Sequence, residues 1–447
     1  MSLQEYIQEE HEGREQWFLE EVSSVQNYQR VKQIHNLKDY LDGKHKIANK
    51  KPEMWNGEEF HPRRMVLQIA KTILNYQSAF LLQNPVTITG EEDIVQRFQR
   101  INKKGQYDQI NHRILDKVLK YGKVAEYVYL DDKRKIQSKL FDPADSYYVY
   151  NHENTLVAFI EAFNADGVDH YTIISEDTVE KWNNRGGKLK KVKEYSNVSG
   201  LPIVYHNQNE LSEVEGKSDL EDIIPIIDEI EELINRYFDA FQKFVSPIPV
   251  LIGQQLKGKN QALPKDVAGG GVNLEEFGDM KMLSNQLDFQ SFQALHETLM
   301  SSLLDVSATP AVSMNKTDIS NLSEVSIKLL FQLASVKASI NEMFMRSGIY
   351  ERFEKFRNIL ELQGETFSDE EFESLDIVFQ HNMPSNDSEV IDNLETLKNI
   401  QGISMESILE HSPYTTDVQR ELQKIQGETS ESGSEDDTTN SDEDSIE

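Results

Sequence analysis

The chain has 447 residues, no cysteine and a formal net charge of −31, from 77 acidic and 46 basic residues. This length is enough for more than one hydrophobic core, and the lack of cysteine excludes disulfides and thiolate metal sites. The charge argues against a protein that grips nucleic acid through phosphate contacts, because such binding needs a basic face. With neither a signal peptide nor a long uncharged apolar run, we predict an unexported protein without a membrane partner.

The N-terminal half alternates between helical and strand-like patterns. Helical patterns cover four segments: 5–45, 65–82, 92–101 and 108–121. Strand-like alternation covers five segments: 124–130, 146–150, 155–163, 170–175 and 178–182. Turn residues at Asp166-Gly167, between the third and fourth of these segments, and at 183–187, after the fifth, predict hairpins. The pattern as a whole predicts the α+β class.

A long apolar seam begins after residue 218. Within 219–245, apolar residues recur at alternating steps of four and three, which is typical of a helix that packs along its length. The seam consists of Ile223, Ile227, Ile230, Ile234, Tyr237, Phe241 and Phe244. Pro225 leaves the start of this helix between Asp219 and the proline itself. A core helix is the simplest interpretation of the stripe alone, and the segments that follow favour an assembly instead.

The second half of the chain predicts a strand, two more helices and a polar loop between them. Residues 246–253 indicate a short strand behind a proline, and helical spacing returns over 288–305. Thr309-Pro310 and the polar side chains of 306–321 interrupt that helix. From 322 to about 360 there is no proline, and Gly348 marks the expected bend. A rod of roughly 50–60 Å results, at about 1.5 Å per residue.

Catalytic motifs are incomplete. Residues 216–218 (Gly-Lys-Ser) end like a phosphate-binding loop, but the glycine needed five positions earlier is Leu211. The histidines stand apart in sequence, and no His-Glu-x-x-His motif occurs. Adjacent acids at 131–132, 275–276 and 369–371 are explained by solvated turns or helix starts. We therefore expect no enzyme, no cofactor and no metal site.

Seven short segments, in this order and spacing, match the pattern of a known family. They are 73–88 (helix into PVTI), 119–129 (LKYGKVAEYVY), 141–145 (FDPAD), 216–221 (GKSDLE), 319–328 (ISNLSEVSIK), 382–387 (NMPSND) and 403–409 (ISMESIL). Together they resemble the portal proteins of tailed double-stranded-DNA bacteriophages, the head-tail connectors. The chain departs from that family at Ser323-Glu324, where a Ser-Gly pair is frequent.

The resemblance implies a portal-type subunit that forms a ring oligomer, typically a dodecamer. It implies these parts: an α+β wing (1–218), a stem helix (219–245), a small α/β clip (246–287), a second stem helix (288–305), a tunnel loop (306–321), a long helix across the channel top with a return to the wing (322–379), a helical crown (380–426) and a disordered acidic tail (427–447). The tail has no Lys or Arg, which agrees with disorder. The seam residues named above would then pack the stem.

The same resemblance implies a structural protein at the capsid portal vertex of a virion, present in the host cytoplasm during assembly. Its partners would be double-stranded DNA passing without sequence specificity, the terminase large subunit, the major capsid and scaffolding proteins, and a head-completion or tail adaptor protein. Two sets of residues would act on partners: Ser313, Met314, Asn315, Lys316, Thr317 and Asp318 in the DNA channel, and Lys257, Glu275 and Glu276 in the clip.

The alternative is a metal-dependent nuclease or another DNA-processing enzyme of a phage, which would use clustered acids and a divalent ion. Hydrodynamic size separates the two hypotheses. A ring elutes at hundreds of kilodaltons, whereas a nuclease of this kind is a small species that loses activity on chelation.

Overall fold

The computed structural model describes residues 2–55, 58–244, 248–252, 279–283, 288–311, 323–384 and 386–412, and seven positions between 414 and 425. Its helices are α1 (Leu3–Glu10), α2 (Phe18–Ser23), α3 (Val25–Leu41), α4 (Ile69–Leu82), α5 (Glu92–Gly105), α6 (Tyr107–Tyr121), α7 (Leu220–Phe244), α8 (Phe289–Val306), α9 (Glu324–Leu330), α10 (Gln332–Leu362), α11 (Asp369–Glu373), α12 (Asp387–Asn399) and α13 (Met405–His411), with a 3-10 turn at Lys46–Asn49.

The strands are β1 (Glu53–Trp55), β2 (Glu58–Phe60), β3 (Thr87–Thr89), β4 (Lys123–Leu130), β5 (Ile136–Leu140), β6 (Ser146–Tyr150), β7 (Leu156–Ala165), β8 (Val168–Ile174), β9 (Thr178–Asn183), β10 (Lys190–Ser196), β11 (Ile203–His206), β12 (Ile248–Ile252), β13 (Asp279–Leu283) and β14 (Asp376–Val378). Helices and strands are thus mixed in one chain, which confirms the α+β class. None of the described helices is both long and apolar enough to span a membrane.

The chain divides into two units. The larger comprises 1–309 and 334–382, and the smaller comprises 310–333 and 383–447. In the smaller unit, α12 packs against α13, and both begin with side-chain caps, at Asn386 and Ser404.

An antiparallel five-stranded sheet, ordered β6-β7-β8-β9-β10, organises the larger unit. At the β7–β8 turn, Asp166 has φ 52° and Gly167 φ 76°, so the predicted hairpin turn is confirmed. Around β6–β9, apolar side chains pack with Trp17 and Phe18 of the N-terminal segment in one cluster, and a second cluster joins Phe159 to Phe141. A separate sheet is ordered β11-β4-β5.

Several predicted boundaries are corrected. Residues 5–45 form three helices rather than one, because the chain turns at 11–17, where His11 pairs with Glu20 (3.1 Å) and Glu21 (2.9 Å). Helix α4 starts at Ile69 rather than 65, since 61–68 is neither helix nor strand. Strands β5, β10 and β11 were not predicted individually. In β10 (KKVKEYS) the lysines interrupt the alternation of apolar and polar residues that marks a strand.

Gly348, the expected bend, lies inside an unbroken helix. The long helix is interrupted at Phe331 (φ −94°, ψ 4°), between α9 and α10, and α10 continues through Gly348. Glycine stands there because a β-carbon would lie 2.1 Å from Tyr205 Cε1. The residue therefore lets β11 approach α10 closely.

Candidate functional site

Helix α7 carries the predicted apolar seam, and its start is anchored by the Gly-Lys-Ser segment. The Ser218 hydroxyl accepts the Leu220 amide proton (3.1 Å) and donates to the Lys120 carbonyl (2.6 Å). A β-carbon on Gly216 would lie 1.9 Å from the Gly122 carbonyl oxygen. This segment joins two backbones at a close contact and offers no phosphate cradle.

The seam changes character along α7. Ile223, Ile227 and Ile230 are buried within the subunit, and Pro225 lies inside the helix, so α7 starts at Leu220. Farther along, Ile234 and Tyr237 are half-buried. Tyr237 stacks on Phe292 of α8 with ring centroids 4.0 Å apart. The first half of the predicted stem helix is therefore a core helix, and the second half pairs with α8.

The α7–α8 pair leaves large apolar side chains in solvent. Phe238 is 42% exposed, Phe241 52%, Phe289 58% and Leu295 49%. Single exposed apolar side chains are common on protein surfaces, but these four are grouped on two adjacent helices. This stretch is a candidate for a surface that another chain covers.

A second face of α7, which sequence reasoning missed, is a polar stripe of three buried residues. Glu231 Oε1 accepts the amide proton of residue 67 (2.6 Å), Asn235 Oδ1 that of residue 65 (2.8 Å), and Asp239 Oδ1 that of residue 63 (3.0 Å). Asn235 Nδ2 also donates to the carbonyl of residue 65 (2.9 Å). The stripe holds the backbone of residues 63–67, which form neither helix nor strand, against the helix. Its only signal in the sequence is the spacing of four between the three polar residues.

The structure also brings together His45, Asp228 and Glu231, although the histidines stand apart in sequence. His45 Nδ1 lies 2.7 Å from Glu231 Oε1, and Nε2 lies 3.0 Å from the Tyr40 carbonyl oxygen, to which it donates. Lys46 Nζ lies 2.7 Å from Asp228 Oδ2. Burial raises the pKa of Glu231. Protein groups thus occupy both ring nitrogens, which explains the cluster as a buried polar contact between the 3-10 turn and α7.

A further buried network ties α10 to the sheet β11-β4-β5. Arg352, 1% exposed, donates from Nε (2.9 Å) and Nη2 (2.8 Å) to Glu126 Oε2, and from Nη1 to Asn111 Oδ1 (2.8 Å). The Tyr205 hydroxyl donates to the same Glu126 oxygen (2.8 Å). A guanidinium matches this planar arrangement of acceptors, so the network fixes where the long helix lies.

The adjacent acids have the predicted structural roles where the structure describes them. Asp131 Oδ1 accepts the amide protons of Lys133 (2.8 Å) and Lys135 (2.7 Å) in the β4–β5 turn. Residues 369–371 form the first turn of α11. The predicted channel residues Ser313, Met314, Asn315, Lys316, Thr317 and Asp318 and the predicted docking residues Lys257, Glu275 and Glu276 lie outside the described residues.

Solved structures of three phage-like particles contain chains similar to this one. The neck of an empty GTA particle (C6 symmetry) matches with a TM-score of 0.46 and 9% identity, covering 75% of this chain and 85% of that one. The virion of a native gene transfer agent particle matches with a TM-score of 0.44, 10% identity and coverage of 75% and 86%. The neck of a native GTA particle (C12 symmetry) matches with a TM-score of 0.44 and 10% identity, covering 76% of this chain and 86% of that one. No curated protein matches the chain.

The model of one protein family, described as phage portal protein, SPP1 Gp6-like, matches residues 24–435. That range includes most of both units and the whole α7–α8 pair. The family consists of structural proteins rather than enzymes. The chain therefore belongs to the SPP1 Gp6-like family of phage portal proteins.

Proposed function

We propose that this chain is the subunit of a homo-oligomeric portal ring, dodecameric in the particle, at a capsid vertex. Membership in the portal family supports the proposal. The exposed apolar surface of α7 and α8 carries it: Phe238, Phe241, Phe289 and Leu295 would be buried between neighbouring subunits. Each subunit would present this surface to the next in a head-to-tail contact, which closes into a ring when the rotation allows.

The ring would form the channel through which double-stranded DNA is packaged and ejected. The net charge of −31 suits a conduit, because an acidic wall repels phosphates and leaves no deep binding minimum along the path. In this proposal Ser313, Met314, Asn315, Lys316, Thr317 and Asp318 form the tunnel loop at the narrowest part. Lys316 is the only basic residue between Lys281 and Lys328, so its copies would place positive charge at one level.

The remaining partners belong to the same proposal. The clip residues Lys257, Glu275 and Glu276 would dock the terminase large subunit, since loops on a rigid scaffold are common binding surfaces. Capsid and scaffolding proteins would surround the ring, and a head-completion or adaptor protein would bind it after packaging. The protein would assemble in the host cytoplasm and remain at the portal vertex of the virion.

Negative-stain images and size-exclusion chromatography of the purified full chain test the proposal. We expect holed rings of hundreds of kilodaltons. Phe241→Asp should leave the subunit folded, because this side chain is 52% exposed, and should shift the protein to small species. Ile234→Asp, at a half-buried position, should give monomers or aggregates. Leu211→Asp is the matched control, because Leu211 is 94% exposed and lies outside both α7 and α8, and its rings should be normal.

Two results would contradict the proposal. A parent chain that remains a 51.5 kDa monomer at every concentration and salt tested would exclude the ring. Rings of Phe241→Asp and Ile234→Asp formed at the parent's yield would remove α7 from the interface.

A further inference from the structure

The β9–β10 hairpin is a basic element in an acidic chain. Between 178 and 196 there are two acidic residues, Glu180 and Glu194, and six basic ones: Lys181, Arg185, Lys188, Lys190, Lys191 and Lys193. The hairpin thus carries a formal charge of +4 in a chain of −31. Lys191 pairs with Glu180 (2.9 Å) and Glu194 (3.1 Å), which still leaves an excess of lysines at the surface. Such a concentration of one sign marks a surface for an acidic partner.

Strand β10 is also exposed on both of its faces. It is the edge of the five-stranded sheet, and all seven residues from Lys190 to Ser196 are exposed. Val192 is 61% exposed, although β-branched residues in strands usually pack against a neighbour. Lysines on an edge strand also discourage unwanted strand pairing.

An acidic cavity of about 810 Å³ lies near the other end of this hairpin. Its carboxylates are Glu176, Asp177, Glu213, Glu351 and Glu354. The one lysine in its lining, Lys355, donates to the Ser199 carbonyl (3.0 Å) and lies 3.6 Å from Glu351 Oε1, which leaves the other four carboxylates without a lysine in the lining. Burial raises the pKa of Glu351, and the charge of Lys355 beside it opposes that shift. The cavity fits basic side chains.

The tip of the hairpin and the cavity lie at opposite ends of the two strands within one subunit. Lys190 pairs with Asn183, and Ser196 pairs with Thr178, directly after Asp177 at the cavity. Lys190 and Ser196 are six positions apart in the strand, which is roughly 20 Å at about 3.3 Å per residue. The basic tip and the acidic cavity are complementary in charge and lie at opposite ends of the hairpin. A head-to-tail contact between copies would bring the tip of one copy to the cavity of the next.

We propose that the basic end of the β9–β10 hairpin, residues 185–193, enters the acidic cavity of the next copy of this chain. The contact rests on the proposed ring and adds a second subunit interface to it, remote from the α7–α8 surface in sequence. It gives a partner both to the basic hairpin and to the acidic cavity of each subunit. Charge pairs between the hairpin and the cavity would determine the register and the rate of assembly more than the final stability of the ring.

Cysteine pairing tests the contact directly, because the chain has no cysteine of its own. In assembled Lys190→Cys/Asp177→Cys protein, a short bis-maleimide should give a ladder of covalent multimers on a denaturing gel. An intrachain link is excluded by the separation of roughly 20 Å along the strand. The matched control, Lys190→Cys/Glu370→Cys, replaces an exposed acid of α11 and should give no ladder. Rings without a ladder, or an equal ladder in the control, would overturn the inference while leaving the ring intact.

Charge reversal provides a second, independent test. Lys190→Glu/Lys193→Glu should raise the protein concentration needed for half-assembly by about tenfold at low salt, and Asp177→Lys/Glu213→Lys should do the same. All four substitutions in one chain restore complementarity and should bring that concentration back to within about threefold of the parent. A quadruple variant no better than either pair would refute the contact. Absence of rings in the parent chain would instead refute the proposed function.

Discussion

The Arg352 network gives the sharpest prediction about the stability of the subunit. Replacing Arg352 by Met removes four hydrogen bonds and leaves the Glu126 carboxylate, 0% exposed, without its counter-charge. Breaking a buried pair from one side costs about 3–5 kcal/mol, because the remaining charge keeps its desolvation penalty. We expect that loss in the free energy of unfolding, measured from the urea denaturation midpoint.

Two companion variants make this reasoning refutable. Arg357→Met, in the same helix, breaks ion pairs to exposed Glu361 and Asp369 and should cost less than about 1 kcal/mol. Adding Glu126→Met to Arg352→Met removes the stranded charge and should recover at least about 1 kcal/mol. A loss of unfolding free energy in Arg352→Met no larger than that in Arg357→Met would refute this reasoning, as would losses at Arg352 and Glu126 that simply add in the double variant. Either result would show that electrostatic pairing in this network does not fix α10.

Four further predictions follow from single residues. Gly348→Ala should destabilise the fold by about 1–3 kcal/mol in urea, because the new methyl would press on Tyr205, whereas Ser347→Ala on the exposed side of α10 should be neutral. Burial lowers the pKa of Lys123 to about 8, so above that pH the unfolded chain binds more protons than the folded one. The free energy of unfolding of the parent should therefore rise relative to that of Lys123→Met, by up to about 1.4 kcal/mol per pH unit between pH 8 and 10. A difference between the two proteins that does not change with pH would contradict this. Glu275→Lys/Glu276→Lys should leave rings intact in electron micrographs while weakening terminase association in a pull-down, and unchanged binding across clip variants would move the docking site elsewhere. Lys316→Glu should assemble normally but reduce the DNA packaged or retained per head, more than Lys257→Glu does; heads that fill and hold DNA like the parent would exclude this lysine from contact with the genome.

The elements that the sequence predicted well are those with strong local periodicity. The seam from Ile223 to Phe241 repeats at helical spacing, and helix α7 has nearly the predicted bounds. Strands β6 and β9 and the turn at Asp166-Gly167 were predictable for the same reason, since their signals come from residues two to four positions apart. The family could also be predicted, because the order of seven short motifs depends on the chain alone.

Only the tertiary structure decided what each face of these elements contacts. The sequence gives no reason to divide the seam at Ile230, yet the first half is buried in the subunit and Phe241 is half in solvent. Gly348 is a packing position because of Tyr205, which lies far from it in sequence.

The buried polar groups show the same limit. Arg352 and Asn111 are 241 residues apart, and His45 and Glu231 are 186 apart, so no local pattern pairs them. A lone polar residue in a helix is compatible with a solvated face or with a buried network, and the two differ only in what other segments place beside it. Local periodicity therefore determines where helices and strands form, and long-range packing determines which of their side chains meet.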